Sequence, residues 1–336
     1  MLMALAGCST LTYYGQAIQG HLSLMAAREP IPELLADPAT DAQLRRRLER
    51  ARAIRAFASE ALALPANDSY TTYAQLDRPY VVWNVVATPE LSLEPRQWCL
   101  PVAGCVSYRG YFARADAEAY AQSLAEEGLD VYTRGAIAYS TLGWFDDPLV
   151  SPMLRQDDLA LAEVIFHELA HQRLYVKGET MFNEGFATTV GEAGTRRWAE
   201  RQGPETLQRY EQRLARREAF FDLVEAARGR LEAVYVSDRP DPAKRRRKAA
   251  IIDDLRADYR KLKRDQWDGY SGYDAWFAAP INNAKLVSVA TYRELVPAFR
   301  DLLAACDHHL PCFYQAAGSP ISRPLSSSNS VSSVRR

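Results

Sequence analysis

The run His167-Glu168-Leu169-Ala170-His171 constrains this chain more than any other stretch. On a helix, residues four apart share a face, so both imidazoles can reach one metal ion. Glu168 follows the first histidine and points to the side where a metal-bound water would lie. Further on, Asn183-Glu184-Gly185-Phe186-Ala187 supplies a second acidic cluster, with Glu184 the natural third ligand. A zinc ion with three protein ligands keeps its fourth position for water and lowers that water's pKa towards neutrality. The fold must therefore bring two helices together, and Lys177-Gly178-Glu179 supplies a tight turn between them. Apolar flanks at Val164-Ile165-Phe166 and Leu169-Ala170 suit a buried active-site helix, which Asp157 and Asp158 can cap. A helix with two core histidines and an ordinary glutamate would leave buried polar groups to satisfy. The pattern points to one Zn2+ ion and to hydrolysis, with Glu168 as general base and then acid.

Composition narrows the setting. The chain has 336 residues, enough for one large domain or two small ones, and a 48% hydrophobic content supports a core. A net charge of -1 argues against a nucleic-acid partner. Lys244-Arg245-Arg246-Arg247-Lys248 reads as a solvated face of a charged helical hairpin. Leu5-Ala6-Gly7-Cys8 looks like a bacterial lipobox, with Cys8 the lipidated residue and Ser9 resembling the sorting pattern for the outer membrane. The stretch before Cys8 is short for a complete signal, so the true start is expected upstream. The expected location is the bacterial periplasm, with the membrane met only through an N-terminal lipid anchor. If Cys8 is incidental, the location is cytoplasmic. Cys99 with Cys105 and Cys306 with Cys312 can each close a short disulfide loop, although free buried thiols are the alternative.

Periodicity predicts an α+β fold, mostly helical, with a single catalytic domain over residues 9–316. Residues 1–8 form the lipobox segment. The stretch 11–64 is helical. Residues 70–150 form a small mixed sheet, with strands at Tyr80–Ala87, Cys105–Phe112 and Ala136–Thr141 and a helix over Ala113–Glu127 ended by Gly128. The zinc helices occupy 155–195. Residues 200–316 are helical again, with Glu205–Tyr235 and Ala243–Lys263 as an antiparallel pair joined at Arg239-Pro240-Asp241-Pro242. The Ser- and Pro-rich tail 317–336 is expected to be disordered.

Asn183 to Ala187 match the third-ligand run of the aminopeptidase N family residue for residue. Zincins whose third ligand is a glutamate on a following helix are gluzincins, thermolysin among them. More closely, the chain resembles a bacterial family described as aminopeptidases largely on the strength of its motif. The resembling segments are Tyr80–Val85, Cys105–Phe112, Tyr139–Pro148, the two motifs above and Asn282–Leu286. The resemblance implies a thermolysin-like gluzincin fold, with a small sheet preceding the active-site helices, and a zinc metallopeptidase with peptide as its substrate.

That resemblance also implies roles for other residues. Gluzincins place a Tyr or His donor beside the tetrahedral oxyanion. Tyr292, which follows the Asn282-Asn283 segment, is the first candidate, with a packing role as its alternative. His308 and His309 come next, although their place between two cysteines reads as a surface loop. Asn183 and Glu192 could orient the ligands. An extended peptide would pair with an edge strand, for which Tyr139, Ser140, Thr141, Leu142 and Gly143 are the candidates. Trp144 and Phe145 are either pocket walls or core. One departure bears on specificity. Aminopeptidase N relatives carry Gly-Ala-Met-Glu-Asn on that strand, and its Glu holds the substrate amine, whereas Gly135-Ala136-Ile137-Ala138-Tyr139 has no carboxylate. Either Asp146, Asp147 or Glu192 supplies the anchor, or the enzyme is an endopeptidase. A non-catalytic, envelope-anchored protein of the same fold is the third reading. The spacing from His171 to Glu184 is also shorter than in thermolysin and aminopeptidase N.

Overall fold

Strong helix formers dominate the first part of the chain, and it coils accordingly. The computed structural model describes residues 4–100, 104–290 and 293–319, and only the backbone of 4–11 and of 100. It opens with α1 (Ala4–Ala26), a short β1 (Arg28–Pro30), α2 (Ile31–Ala36) and α3 (Ala42–Leu62). The Asp41 side chain accepts the amide N–H groups of Gln43 and Leu44 and so caps α3. The expected continuous helical stretch 11–64 is thus broken by β1, which pairs antiparallel with β2 (Thr72–Ala74). Pro30 disfavours the helical conformation for Glu29 before it, so the chain stays extended up to the proline and α2 starts just after it. Cys8 falls in α1, and its side chain lies outside the described residues.

The mixed region holds β3 (Val82–Pro89), β4 (Trp98–Leu100), β5 (Gly104–Val106), β6 (Arg109–Tyr111), α4 (Arg114–Glu126), β7 (Leu129–Ala136), β8 (Leu149–Val150) and α5 (Ser151–Leu154). Two expectations shift here. The run Cys105–Phe112 divides, because β5 pairs with β4 in a hairpin closed by the Cys99–Cys105 disulfide, while β6 joins β3. The third strand lies earlier than Ala136–Thr141. Gly128 ends α4 with φ 82°, and β7 starts at once. Tyr139 to Gly143 therefore form a loop, with Leu142 at φ 57° and Gly143 at φ 82°.

The order β6-β3-β7 leaves β7 at an edge, antiparallel to β3, with Asn84 opposite Arg134. Side chains alternate across the sheet. Trp83, Val85, Ala87, Leu129 and Val131 pack with Ala117 and Leu124 of α4 on one face. Val82 and Ala136 lie on the other face and join the main core.

The remaining elements are α6 (Asp158–Arg173), α7 (Thr180–Gln202), α8 (Pro204–Tyr235), α9 (Asp241–Asp265), α10 (Asp274–Ala278), α11 (Asn283–Ala290), α12 (Val296–Ala305) and α13 (Leu310–Ala317). The fold is α+β and mostly helical, with small sheets. Buried side chains of α3, α6, α7, α12, α13 and the start of α8 share one core, and those of α9, α10, α11 and the rest of α8 share another. The predicted hairpin is α8 and α9, turned at Arg239–Pro242. Its basic run is only partly solvated. Arg246 and Arg247 are exposed, but Lys248 is buried, donating to the Glu90 carbonyl and pairing with Asp130 of β7. From residue 320 onward the predicted tail lies outside the described residues.

Candidate metal centre

Asp157 starts the helix that carries His167 and His171. Its side chain accepts the Ala160 N–H at 2.9 Å, so one of the first-turn donors of α6 is served. His167 and His171 follow one turn apart. Gly178, at φ 84°, makes the turn back, and α7 then carries Glu184 across from them. Close approach of the two helices depends on small residues. A Cβ at Gly191 would lie 3.2 Å from the Glu163 carbonyl and 3.4 Å from the His167 Cβ.

The result is a convergent set of donors. His167 Nε2 lies 3.2 Å from His171 Nε2 and 3.3 Å from Glu184 Oε2, and His171 Nε2 lies 3.9 Å from Glu184 Oε1. One ligand atom from each of the three lies within 4.8 Å of the others. Glu184 Oε2 is buried and accepts no hydrogen bond of good geometry. Two imidazole nitrogens and a carboxylate aimed at one buried point fit a divalent cation of zinc's preferences.

The electrostatics agree. Burial holds the His171 imidazole down at about 4, so it is neutral and free to donate a lone pair. Burial also works against a charged His167, but its contact with Glu184 prevails and raises that group. Glu184 is lowered: burial opposes its charge, and His167, His171 and the positive charge of Arg134 outweigh it. Burial raises Glu168 to about 7, with His167 opposing and the Glu184 and Asp147 charges adding. A carboxyl group poised there is suited to taking and returning a proton.

Behind Glu168 stand Tyr70 and Asp147. The Tyr70 hydroxyl and Asp147 Oδ1 are buried with no hydrogen-bond partner, and both groups act electrostatically on or with Glu168. Asp147 Oδ2 accepts the Thr141 N–H at 2.9 Å, and burial first of all raises its pKa to about 6. This contact folds the Tyr139–Gly143 loop onto Gln172, the residue after His171. The loop is thus near the centre but is no edge strand. The free edge belongs to β7. Trp144 and Phe145 are not core residues, at 72% and 53% exposed.

The other predicted residues divide. Asn183 does not touch a ligand. It accepts the Val176 N–H at 2.8 Å and donates to the Val176 carbonyl at 2.7 Å, closing the turn between α6 and α7. Glu192 is buried and taken up by Arg217 and Arg300, so it neither orients a ligand nor offers a free oxygen to a substrate amine. Asp146 is exposed, and its carbonyl accepts from Arg28. His308 and His309 sit in the exposed α12–α13 turn, beside the Cys306–Cys312 disulfide. Tyr292 lies outside the described residues.

Sequence reading overlooked Arg134 and Tyr175, both of which interact electrostatically with Glu184. Each had a positional signal: Arg134 directly precedes the Gly135-Ala136 pair, and Tyr175 closely follows the second histidine. The Asn282-Asn283 pair proves to be a clamp. Asn282 donates to the Val131 carbonyl on the free edge of β7. Asn283 donates to the Glu90 and Ser92 carbonyls and accepts from Tyr235.

A family model described as "Putative aminopeptidase" matches residues 12–327, nearly the whole chain and both halves of the centre. The chain belongs to this family. No curated protein and no solved structure matches it. Within this aminopeptidase-type family member, the matched span includes every residue of the His167–His171–Glu184 cluster as well as β7 and the Asn282-Asn283 clamp.

Proposed function

We propose that the chain is a zinc metallopeptidase of gluzincin type that hydrolyses peptide bonds. The observation that carries this reading is the convergence of His167, His171 and Glu184 within 4.8 Å, beside a carboxyl group raised to about 7. His167, His171 and Glu184 would hold one Zn2+ ion, which when bound supplies Lewis acidity and an activated water. Glu168 takes a proton from the attacking water and delivers it to the departing amine. The free edge of β7 is the docking strand. The Val131 carbonyl already points away from β3 to meet Asn282, so by alternation Thr133 and Gly135 turn their main-chain groups the same way. An extended peptide can pair there.

Aminopeptidase action fits the family, but Asp147 is sealed and Glu192 is taken by two arginines, which leaves only the exposed Asp146 of the three to meet an α-ammonium group. That observation favours endopeptidase action as the second reading. The two disulfides suit an oxidising compartment such as the periplasm, reached through a lipid on Cys8. Among the described residues no helix is long and apolar enough to cross a membrane.

The test is hydrolysis of a peptide library by the zinc-loaded chain and by Glu168→Gln. The proposal expects cleavage that a chelator abolishes, and a loss of 10²-fold or more in the variant. Unchanged turnover in Glu168→Gln would remove Glu168 from the mechanism. N-acetylated peptides cut at internal bonds would select the endopeptidase reading.

A further inference from the structure

The even-numbered face of β7 can be followed residue by residue. Asp130 pairs with Lys248 and accepts the Asn283 N–H at 2.9 Å, so it faces α9 and α11. Tyr132 lies under the Lys285 ammonium, with its ring centroid 5.6 Å away. Ala136 packs into the core that contains α6 and α7. Arg134 stands between Tyr132 and Ala136 on that face, roughly 7 Å along the strand from each. It therefore projects into the gap between α11 and the zinc helices, the gap that Glu184 borders. Consistently, its positive charge favours the ionised forms of Glu184 and Tyr132.

Of the three acids weighed as an amine anchor, only Asp146 is exposed. Residues 135–145 include neither Asp nor Glu. Asp147 is sealed at 0% exposure and Glu192 is taken by two arginines. The position next to the docking strand thus presents a guanidinium where an amine-binding site needs a carboxylate. A guanidinium has five N–H donors in a planar fork that matches a carboxylate, so it can serve a substrate while keeping an existing partner.

Resting on the metallopeptidase reading above, we propose that Arg134 binds a carboxylate of the substrate, making this a peptidase that selects anionic short peptides. The carboxylate can be the free C-terminus or an acidic side chain next to the cleaved bond.

A matched peptide series on the zinc-loaded, full-length chain tests this. It comprises a short peptide with a free C-terminus, its C-terminal amide, and versions with Glu or Gln beside the scissile bond. The proposal expects kcat/KM to fall at least 10-fold when the recognised carboxylate is removed. Loss on amidation identifies the C-terminus, and loss on Glu-to-Gln replacement identifies a side chain. Arg134→Gln should abolish that preference by raising KM for the anionic peptide to the level of its neutral partner, and Arg134→Lys should restore part of it. Dissociation constants measured with Glu168→Gln, which leaves the strand intact, should show the same order. Equal kcat/KM across the wild-type series overturns the proposal whether or not the Arg134 variants fold. So does an equal fall in kcat for anionic and neutral peptides in Arg134→Gln, which would put the guanidinium on the reacting carbonyl instead. Absence of any peptide cleavage by the wild type would fail the metallopeptidase reading itself.

Discussion

At the scale of single residues, the centre is built from side chains that burial makes costly and that only one another can satisfy. Asp147 offers a test that needs no metal. Its folded pKa of about 6 exceeds the ordinary 3.8, because burial disfavours the charged form. Below the unfolded value both states carry the proton and nothing is lost. As the pH rises from about 4 through 6, the folded state resists ionising, and stability falls by roughly 2–3 kcal/mol. Asp147→Asn can still accept the Thr141 N–H but does not titrate. The difference in unfolding free energy between variant and wild type should therefore grow in the variant's favour by roughly that amount from pH 4 to pH 8. Denaturant titrations giving parallel pH curves would contradict the burial argument. The pairing of His167 with His171 was legible in the sequence, because a four-residue spacing on a helix puts both on one face before any tertiary contact forms. Tyr70 carried no signal in the sequence, because it reaches the centre through a separate part of the chain, whereas Arg134 and Tyr175 were marked only by their positions beside the Gly135-Ala136 pair and the second histidine.

At the scale of elements, α7 sits close enough to α3 and α6 to hold Glu184 in place. Gly194 makes this possible. A Cβ there would lie 2.6 Å from Leu62 Cδ1 and 2.8 Å from Phe166 Cδ2, both in the core. Overpacking costs about 1–3 kcal/mol, and the gain in helix propensity returns about 1 kcal/mol. Gly194→Ala should lower the melting temperature, while Gly229→Ala on exposed α8, with nothing within 4 Å, should raise it. Thermal melts of both variants decide the matter, and a stabilised Gly194→Ala would mean that the helices have room to spare. Helices were the easier elements to read. α4, α8 and α9 lie within a few residues of their predicted bounds, since long periodic runs with caps and prolines mark their own ends. Strand positions slipped. β7 is half-buried throughout, so it lacks the alternation of a one-sided strand, and Thr133-Arg134-Gly135 reads like a turn. The substrate edge was therefore assigned to the loop that follows it.

At the scale of the whole molecule, the two cores meet across a group of partly buried ion pairs centred on the buried Glu192. Glu192 of α7 joins Arg217 of α8 and Arg300 of α12, while Glu163 of α6 pairs with Arg217 and Glu218 with Arg300. Removing Glu192 leaves two arginines short of an acid, although each keeps a second one. Glu192→Ala should cost about 2–3 kcal/mol, below the full cost of an unpaired buried charge. Urea unfolding checks this, and a change under about 0.5 kcal/mol would make the network incidental. Nothing in the sequence marked Glu192 for this role, because its partners come from helices far apart in the chain. By contrast, the α+β class and the order of helical and mixed regions followed from composition and periodicity alone.

The measurement that reaches the centre most directly is anomalous diffraction at the zinc edge from crystals of the zinc-loaded protein. The account predicts one strong peak bonded to His167 Nε2, His171 Nε2 and the Glu184 carboxylate, at about 2.0–2.2 Å from each. A peak at other residues, or none between these three side chains, would contradict it.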